Sequence, residues 1–275
     1  MTDRPKISRE IDRIVDAANE IYFTPETPEE EKAFLSRHLV QVTLPHSSPG
    51  NMPTWTRTNG ALSLSIRPGW DYEKNKSLGY PYGSIPRLLL FWMTAEALRT
   101  KSRKIELGAS LAAFTRDVGL SSNTGGGKRG DQTRLKNQME KLFRATISFE
   151  ANYQDESISG KRWLDMQIAP EGELWWDFKS PQQASFFNSW IELGEKFYGA
   201  IIAAPVPLDM RALKALKRSP FALDLYAWAT YKTYALSKGK KKEQFIPWRA
   251  FIQQFGADYS TVKNFTQKAK ATFVK

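Results

Sequence analysis

The chain has 275 residues, of which 41% are hydrophobic and 13% aromatic, and its formal net charge is +11. These values are typical of a folded globular protein with one large domain or two ordinary ones. The sequence contains no cysteine, which excludes disulfide bonds and thiolate metal sites, and no apolar run long enough to predict a membrane-spanning helix. The N-terminus alternates charged residues without a signal-peptide pattern, so we expect a cytoplasmic protein.

The N-terminal part of the chain is predicted to begin with two helices. Apolar residues at helical spacing indicate an amphipathic helix over 7–20, and proline followed by acidic residues indicates a second helix over 24–37. Alternating apolar and polar residues predict strands over 39–45 and 61–69, and the segment 46–60 between them is typical of a loop.

The next part is predicted to contain three helices and a set of strands. Ser110 is suited to cap the second of these helices, and Gly119 is suited to end it. The loop SSNTGGGKRGDQ (121–132) lies between the second and third helices. In chain order the predicted elements are helix 86–99, strand 103–107, helices 110–120 and 131–145, and strands 146–153, 162–170, 173–178 and 185–193.

A second unit with a similar order of elements follows. Its predicted elements are helices 208–217 and 219–236, a basic hinge KGKKK (238–242), strand 243–246, and helices 247–256 and 259–275. LAAFTRDVG (111–119) aligns with WRAFIQQFG (248–256), and LKNQ (135–138) aligns with VKNF (262–265). We therefore predict an internal repeat in which the first copy carries the glycine-rich insertion.

Each copy has the element order of a winged helix-turn-helix. The predicted fold class is therefore α+β, with two tandem winged-helix domains. The chain ends inside the last helix, where a complete winged helix has a further hairpin, so we expect the second domain to be truncated. The predicted division is an N-terminal helical segment 1–36, a first domain 37–204 and a second domain 205–275.

Positive charge is concentrated in two regions of the chain. Residues 99–144 carry eleven basic and four acidic side chains, and residues 237–275 carry nine basic and two acidic ones. Two separate basic regions favour a polyanionic partner such as nucleic acid, although solvated surface lysines are the alternative interpretation.

The residue patterns argue against an enzyme. The glycine-rich loop has Ser122 where a nucleotide-binding loop needs its first glycine, and Arg129 follows Lys128 where that loop needs serine or threonine. His38 and His46 fit neither a zinc pattern nor the histidine motif of DNA-nicking initiators. Acidic residues near the tryptophans of 163–177 are explained by a half-exposed hairpin. We predict no catalysis, no cofactor and no metal.

In helix-turn-helix proteins the helix after the turn enters the major groove, where short polar side chains suit base edges and lysines suit phosphates. The last helix would present Tyr259, Ser260, Thr261, Lys263, Asn264, Gln267, Lys268 and Lys270 to DNA, or to solvent if it is only a charged surface. Val262, Phe265, Ala269 and Phe273 would face the core. Lys128 and Arg129, before the third helix, suit a DNA phosphate, and Arg249 is also predicted to bind DNA.

Two blocks of the sequence resemble the plasmid-encoded RepA-type replication initiators. They are 86–120 with TGGGKRGDQTRLKNQMEKLF (124–143), and 205–234 with PWRAFIQQFG (247–256). The resemblance covers roughly residues 20–275 and implies two tandem winged-helix domains. It implies that the first domain dimerises and contacts the DNA backbone, and that the second reads repeated origin sequences. Monomers would open the origin with host replication proteins, and dimers would repress the initiator's own gene.

The resemblance also assigns residues. Reading of the origin would fall on Ser260, Thr261, Lys263, Asn264 and Lys268. Phosphate contacts would fall on Arg134, Lys136 and the hinge residues Lys238, Lys240, Lys241 and Lys242.

Three hypotheses for function follow. The first is a sequence-specific plasmid replication initiator that binds double-stranded DNA at origin repeats, located in the bacterial cytoplasm with the plasmid and nucleoid. The second is a DNA-binding transcriptional repressor or autorepressor without replication activity. The third is an interaction protein whose first domain forms a homodimer through its aromatic strands.

Overall fold

The computed structural model describes residues 9–108, 110–120, 130–154, 159–175, 189–239, 243–256 and 259–274. These residues form helices and sheets, which confirms the α+β class. The helices are α1 Arg9–Phe23, α2 Arg37–Gln41, α3 Ser84–Thr100, α4 Leu111–Asp117, α5 Asp131–Phe143, α6 Glu195–Ala203, α7 Met210–Leu216, α8 Pro220–Lys238, α9 Trp248–Phe255 and α10 Val262–Phe273. The strands are β1 Lys32–Ser36, β2 Trp55–Asn59, β3 Leu62–Arg67, β4 Trp70–Asp71, β5 Lys76–Ser77, β6 Lys104–Glu106, β7 Thr146–Gln154, β8 Ser159–Gln167, β9 Glu171–Glu173, β10 Trp190–Glu192 and β11 Pro205–Asp209. None of the helices in these segments is long and apolar enough to span a bilayer.

The region from α3 to β8 has the order helix, strand, helix, helix, hairpin that defines a winged helix. Ser110 caps α4 by accepting a hydrogen bond from the backbone N–H of Ala113 at 3.1 Å, and Gly119 ends this helix region with a φ of +84°. Both observations agree with the sequence analysis. The glycine-rich loop 121–129 lies outside the described residues, so its interpretation as an enlarged turn stays a prediction.

An antiparallel sheet of order β2-β3-β7-β8 covers one side of the larger core. Its inward positions alternate along the strands, as in Leu64 and Ile66 of β3, which are both fully buried. The strand β2 is the one element of this sheet that the sequence analysis missed, because its residues were assigned to a loop. It pairs with β3 from Trp55 opposite Ile66 to Asn59 opposite Leu62.

The helix α3 lies inside the larger core. Leu88, Leu89, Leu90 and Phe91 occupy successive positions, and these four residues and Met93 are all at most 2% exposed. A helix that is apolar on every side is stable only when other elements surround it. Here α5, α6, α8, β1 and β6 pack against it, so α3 is the element around which the other elements are organised.

Two strands that lie far apart in the chain, β1 and β11, form a two-stranded ribbon. Strand β1 pairs antiparallel with β11, with Lys32 opposite Asp209 and Ser36 opposite Pro205. The expected helix over 24–37 is therefore wrong, since only a 3₁₀ turn at Glu29–Glu31 precedes the strand. The expected strand over 39–45 is also wrong, since its first residues belong to α2. A pairing partner so far along the chain leaves no local signal.

The last helices form a smaller aromatic core. Phe221 and Leu225 of α8 pack with Phe251 and Phe255 of α9 and with Phe265 of α10. The opposite face of α8 belongs to the larger core, so this one helix connects the two clusters. The strand expected over 243–246 is wrong, because these residues form no strand.

The last helices dock onto the rest of the described chain through α9. Helix α9 packs on β2, and the Gln254 Nε2 atom donates a hydrogen bond to the Gln41 carbonyl at 2.8 Å.

Helix α6 and strand β11 were not predicted, because their apolar residues pack on α3 and β1 rather than forming a clear period. The domain division at 36/37 and 204/205 stays a prediction.

Candidate nucleic-acid interface

The helix α10 is fixed by its N-cap and by one buried face. The Thr261 hydroxyl oxygen accepts a hydrogen bond from the Asn264 backbone N–H at 3.2 Å. Phe265 and Ala269 are fully buried against the aromatic core. Gly256, which directly follows α9, lies so close to α10 that a Cβ there would be 3.0 Å from Phe265 Cδ2. These contacts hold α9 and α10 in a helix-turn-helix arrangement.

The other face of α10 is exposed and polar, and all of its charged side chains are basic. Lys263, Asn264, Gln267, Lys268 and Lys270 are all exposed, and none of the three lysines forms an ion pair with a described residue. Neighbouring cations without acidic partners repel one another, and Lys263 lies in the first turn, where the helix dipole disfavours positive charge. This arrangement is suited to an anionic partner that supplies the missing charge.

Two residues predicted to bind DNA, Tyr259 and Ser260, precede α10. The Tyr259 ring is half-buried and packs edge-on against Phe265, with centroids 5.4 Å apart. Ser260 is exposed directly before the N-cap.

The expectation that Val262 and Phe273 face the core is wrong for Val262, which is 39% exposed. It is only partly right for Phe273, which stacks on Phe251 but stays 51% exposed. Both lie at the ends of α10, where the neighbouring helices cover the side chains only in part.

Replacing Thr261 with alanine is expected to lower the free energy of unfolding by about 1 kcal/mol, because α10 loses its N-cap. Urea denaturation measures this loss. Thr261→Ser keeps the hydroxyl acceptor and should stay within about 0.5 kcal/mol of wild type. Equal losses in both variants would contradict the capping role.

The remaining basic residues that were predicted to bind DNA in this part of the chain belong to α8, to α9 or to the hinge 238–242. Arg249 is exposed at the start of α9. Lys238 ends α8, and its Nζ atom lies 5.8 Å from the centroid of the Tyr234 ring. Lys240, Lys241 and Lys242 lie outside the described residues. The exposed basic residues of α8 to α10 therefore belong to the same small helical unit.

Arg134 and Lys136, the predicted phosphate-binding residues of α5, differ from the lysines of α10, because acids accompany them. Arg134 contacts Asp131 at 3.3 Å, and Lys136 lies 3.8 Å from Glu140, all on α5. This helix packs on α3 and α4, away from the aromatic core of α10. Lys128 and Arg129 lie outside the described residues.

Comparison with known proteins identifies the family. The profile of the family described as "Plasmid encoded RepA protein" matches residues 80–250, which is more than half of the chain. The chain belongs to this RepA family. The matched range runs from the segment before α3 to the first residues of α9, so α10 lies beyond it.

Two solved structures are similar to this RepA-family chain. They are crystal structures of domains 2 and 3 of RctB, one of them of selenomethionine derivatives. The TM-scores are 0.47 for the selenomethionine structure and 0.48 for the other, each at 9% identity. The alignments cover 83% and 84% of this chain and 79% of each RctB chain. No curated protein matches the sequence.

A cavity beside α5 contains residues that the sequence analysis missed. It has a volume of about 440 Å³, and its lining includes Arg134, Asn137, Lys141 and Arg218. The first three are spaced i, i+3 and i+7, so they share one face of α5. That spacing is visible in the sequence, whereas Arg218 reaches the cavity only through the fold.

A buried ionic cluster joins the two parts of this RepA-family protein. Arg87 of α3 donates two hydrogen bonds to Asp224 of α8, both at 2.7 Å, and the Nε2 atom of His46 lies 2.8 Å from the same carboxylate. Arg87 also donates to the carbonyls of Leu44, Pro45 and Gly83. Burial raises the pKa of Asp224, but the Arg87 charge and the His46 hydrogen bond outweigh it and hold that pKa well below its usual range.

Both histidines of the chain are expected to make stability depend on pH. Burial lowers the pKa of His46 and of His38 below the ordinary 6.5. Above pH 6.5 each ring is neutral in both the folded and the unfolded state. As pH falls below 6.5 the unfolded chain takes up protons first, so the free energy of unfolding decreases, by at most about 1.4 kcal/mol per pH unit for each histidine.

Urea denaturation between pH 7.5 and 5.5 measures this dependence. His46→Gln and His38→Gln should each remove part of the decrease, and the double variant should remove most of it. A wild-type stability that does not change over this range would contradict the expectation.

Proposed function

We propose that this RepA-family chain is a plasmid replication initiator that binds repeated origin sequences in double-stranded DNA through α10. It acts by binding rather than by catalysis, in the bacterial cytoplasm, and opens the origin together with host replication proteins. Its first winged helix forms a homodimer and contacts the DNA backbone. The three lysines on the exposed face of α10, which form no ion pair with a described residue, carry this proposal, and membership of the plasmid-encoded RepA family supports it.

The exposed amide and lysine side chains of α10 have distinct roles in this proposal. Asn264 and Gln267 carry amide groups that can donate to and accept from the edge of an adenine. Lys263, Lys268 and Lys270 provide charges for phosphates on either side of the major groove. Ser260, Thr261, Arg249 and Lys238 flank the helix and add further contacts to the backbone.

Binding to short duplexes that carry the repeats adjacent to the gene, compared with scrambled duplexes over a range of salt concentrations, tests the proposal. Lys263→Ala and Lys268→Ala should each weaken binding to both duplexes and lower the salt slope by about one. Asn264→Ala should reduce the discrimination between repeat and scrambled DNA by about 1–3 kcal/mol.

Lys196→Ala is the matched control, because Lys196 is an exposed lysine on α6, outside the proposed interface. It should bind like wild type. If both α10 lysine variants keep the wild-type affinity and salt slope, α10 is not the DNA-reading helix. Maintenance of a plasmid by the gene separates an initiator from a repressor that only binds DNA.

A further inference from the structure

The cavity beside α5 lies where four segments of the chain meet. These are α5, the first turn of α3 with Ser84 and Ile85, the turn before α8 with Arg218, and the loop that contributes His46. Among the described residues, no carboxylate lines it, whereas three basic side chains do: Arg134, Lys141 and Arg218. The interior of the cavity is therefore positively charged.

Two of these cations have no acidic partner within the described part of the chain. Neither Lys141 nor Arg218 forms an ion pair with a described residue. Lys141 is half-buried, with its Nζ atom 5.2 Å from the centroid of the Tyr82 ring, and burial lowers its pKa. Partial desolvation of an ammonium group without an acid nearby costs free energy, which a bound anion offsets.

Uncharged donors line the same space. Gln138 is 93% buried, and its Oε1 atom accepts a hydrogen bond from the Tyr82 backbone N–H at 2.9 Å. Its Nε2 amide has no partner among the described residues and remains as a donor on the cavity wall. The first turn of α3 adds backbone N–H groups and the positive end of a helix of 17 residues, whose N-cap Gly83 offers no side chain.

We propose that this cavity is a phosphate-binding site, and that in the DNA complex it holds one backbone phosphate of the duplex. Arg134 and Arg218 supply planar donor groups for phosphate oxygens, Lys141 supplies a compact charge, and Gln138 supplies a neutral donor. The inference rests on the proposed function, and it adds a contact that α10 does not make. Because Arg218 lies just before α8 and the other groups belong to α3 and α5, a phosphate in the cavity joins the two parts of the chain.

The decisive experiment measures the salt dependence of binding to a duplex of arbitrary sequence. Lys141→Gln and Arg218→Gln should each weaken binding about tenfold and lower the slope of log K against log salt by about 0.9, the value for one phosphate. Lys196→Gln, on α6, is the matched control and should keep the wild-type slope. Arg218 is exposed, so its replacement also tests the site if Lys141→Gln fails to fold. Wild-type slopes in both cavity variants would overturn the proposal.

A second measurement identifies the source of the phosphate. The melting temperature of wild type and variants is compared in orthophosphate and in chloride at equal ionic strength. If orthophosphate raises the melting temperature of wild type but not of the variants, and the DNA slopes also fall, the proposal is supported. If the same stabilisation occurs while the slopes are unchanged, the cavity takes a free phosphate and its assignment to DNA is wrong.

The α10 variants in the same assay separate this inference from the proposed function. Weakened binding in Lys263→Ala and Lys268→Ala, with normal binding in the cavity variants, would overturn the cavity alone. Weakened binding in the cavity variants, with normal binding in Lys263→Ala and Lys268→Ala, would overturn the role of α10 alone. If wild-type protein binds no duplex, both proposals fail.

Discussion

Replacing Asp224 with alanine is expected to lower the free energy of unfolding by about 3–5 kcal/mol. The carboxylate is 6% exposed and accepts hydrogen bonds from Arg87 at 2.7 Å on both of its oxygens. Without it, Arg87 keeps its three carbonyl partners but remains a buried charge without a counter-ion. Because Arg87 belongs to α3 and Asp224 to α8, the loss weakens the junction between the two cores.

Two further variants make this expectation specific. Asp224→Asn keeps the shape and one acceptor and should destabilise the protein less than alanine does. Asp165→Ala removes an exposed carboxylate from β8 and should change stability by less than about 0.5 kcal/mol. Urea denaturation at pH 7.5 measures all three. A loss below about 1 kcal/mol for Asp224→Ala would show that the cluster does not hold the junction.

Replacing Phe265 with alanine is expected to cost about 3–5 kcal/mol. Its ring is fully buried and lies 5.7 Å from Phe221, 5.8 Å from Phe251 and 5.4 Å from Tyr259, measured between centroids. The aromatic core is small, so few other contacts can offset the cavity that alanine leaves. The loss should be concentrated in α9 and α10, with the larger core retained.

Amide hydrogen exchange locates the loss, since protection should fall in α10 and persist in α3. Phe245→Ala is the matched control, because Phe245 is 90% exposed and its replacement should leave stability nearly unchanged. Equal loss of protection in α3 and α10 would contradict the idea that the last helices unfold separately. Loss of DNA binding in Phe265→Ala would follow from the loss of α10 rather than from a missing contact.

The sequence predicted best the elements whose signals are local. Ser110 and Ser219 were recognised as helix starts, and both side chains accept a backbone hydrogen bond from the third residue that follows them. The cationic face of α10 was equally visible, because periodicity and a lack of acids are properties of one short segment. The buried positions Phe265 and Ala269 followed from the same period.

What could not be predicted depends on contacts between distant segments. Lys32–Ser36 was assigned to a helix, because the strand that pairs with it begins only at Pro205. Arg218 entered no site prediction, because it reaches α5 and the start of α3 only in the folded chain. His46 fitted no site pattern in the sequence, but its hydrogen bond to Asp224 places it in the core. In each case the deciding partners lie more than seventy residues away along the chain.

The β1–β11 ribbon has a consequence for synthesis of the protein. Strand β1 leaves the ribosome roughly 170 residues before β11 exists, which is a delay of about 10–30 s at typical rates of protein synthesis. During that time Ala33 and Leu35, which are buried in the finished fold, have no partner strand, and an unpaired strand edge can pair with a strand of another chain. Nascent chains on neighbouring ribosomes are therefore most exposed to aggregation before Pro205 emerges, and translational pausing upstream of this residue should lower the soluble yield.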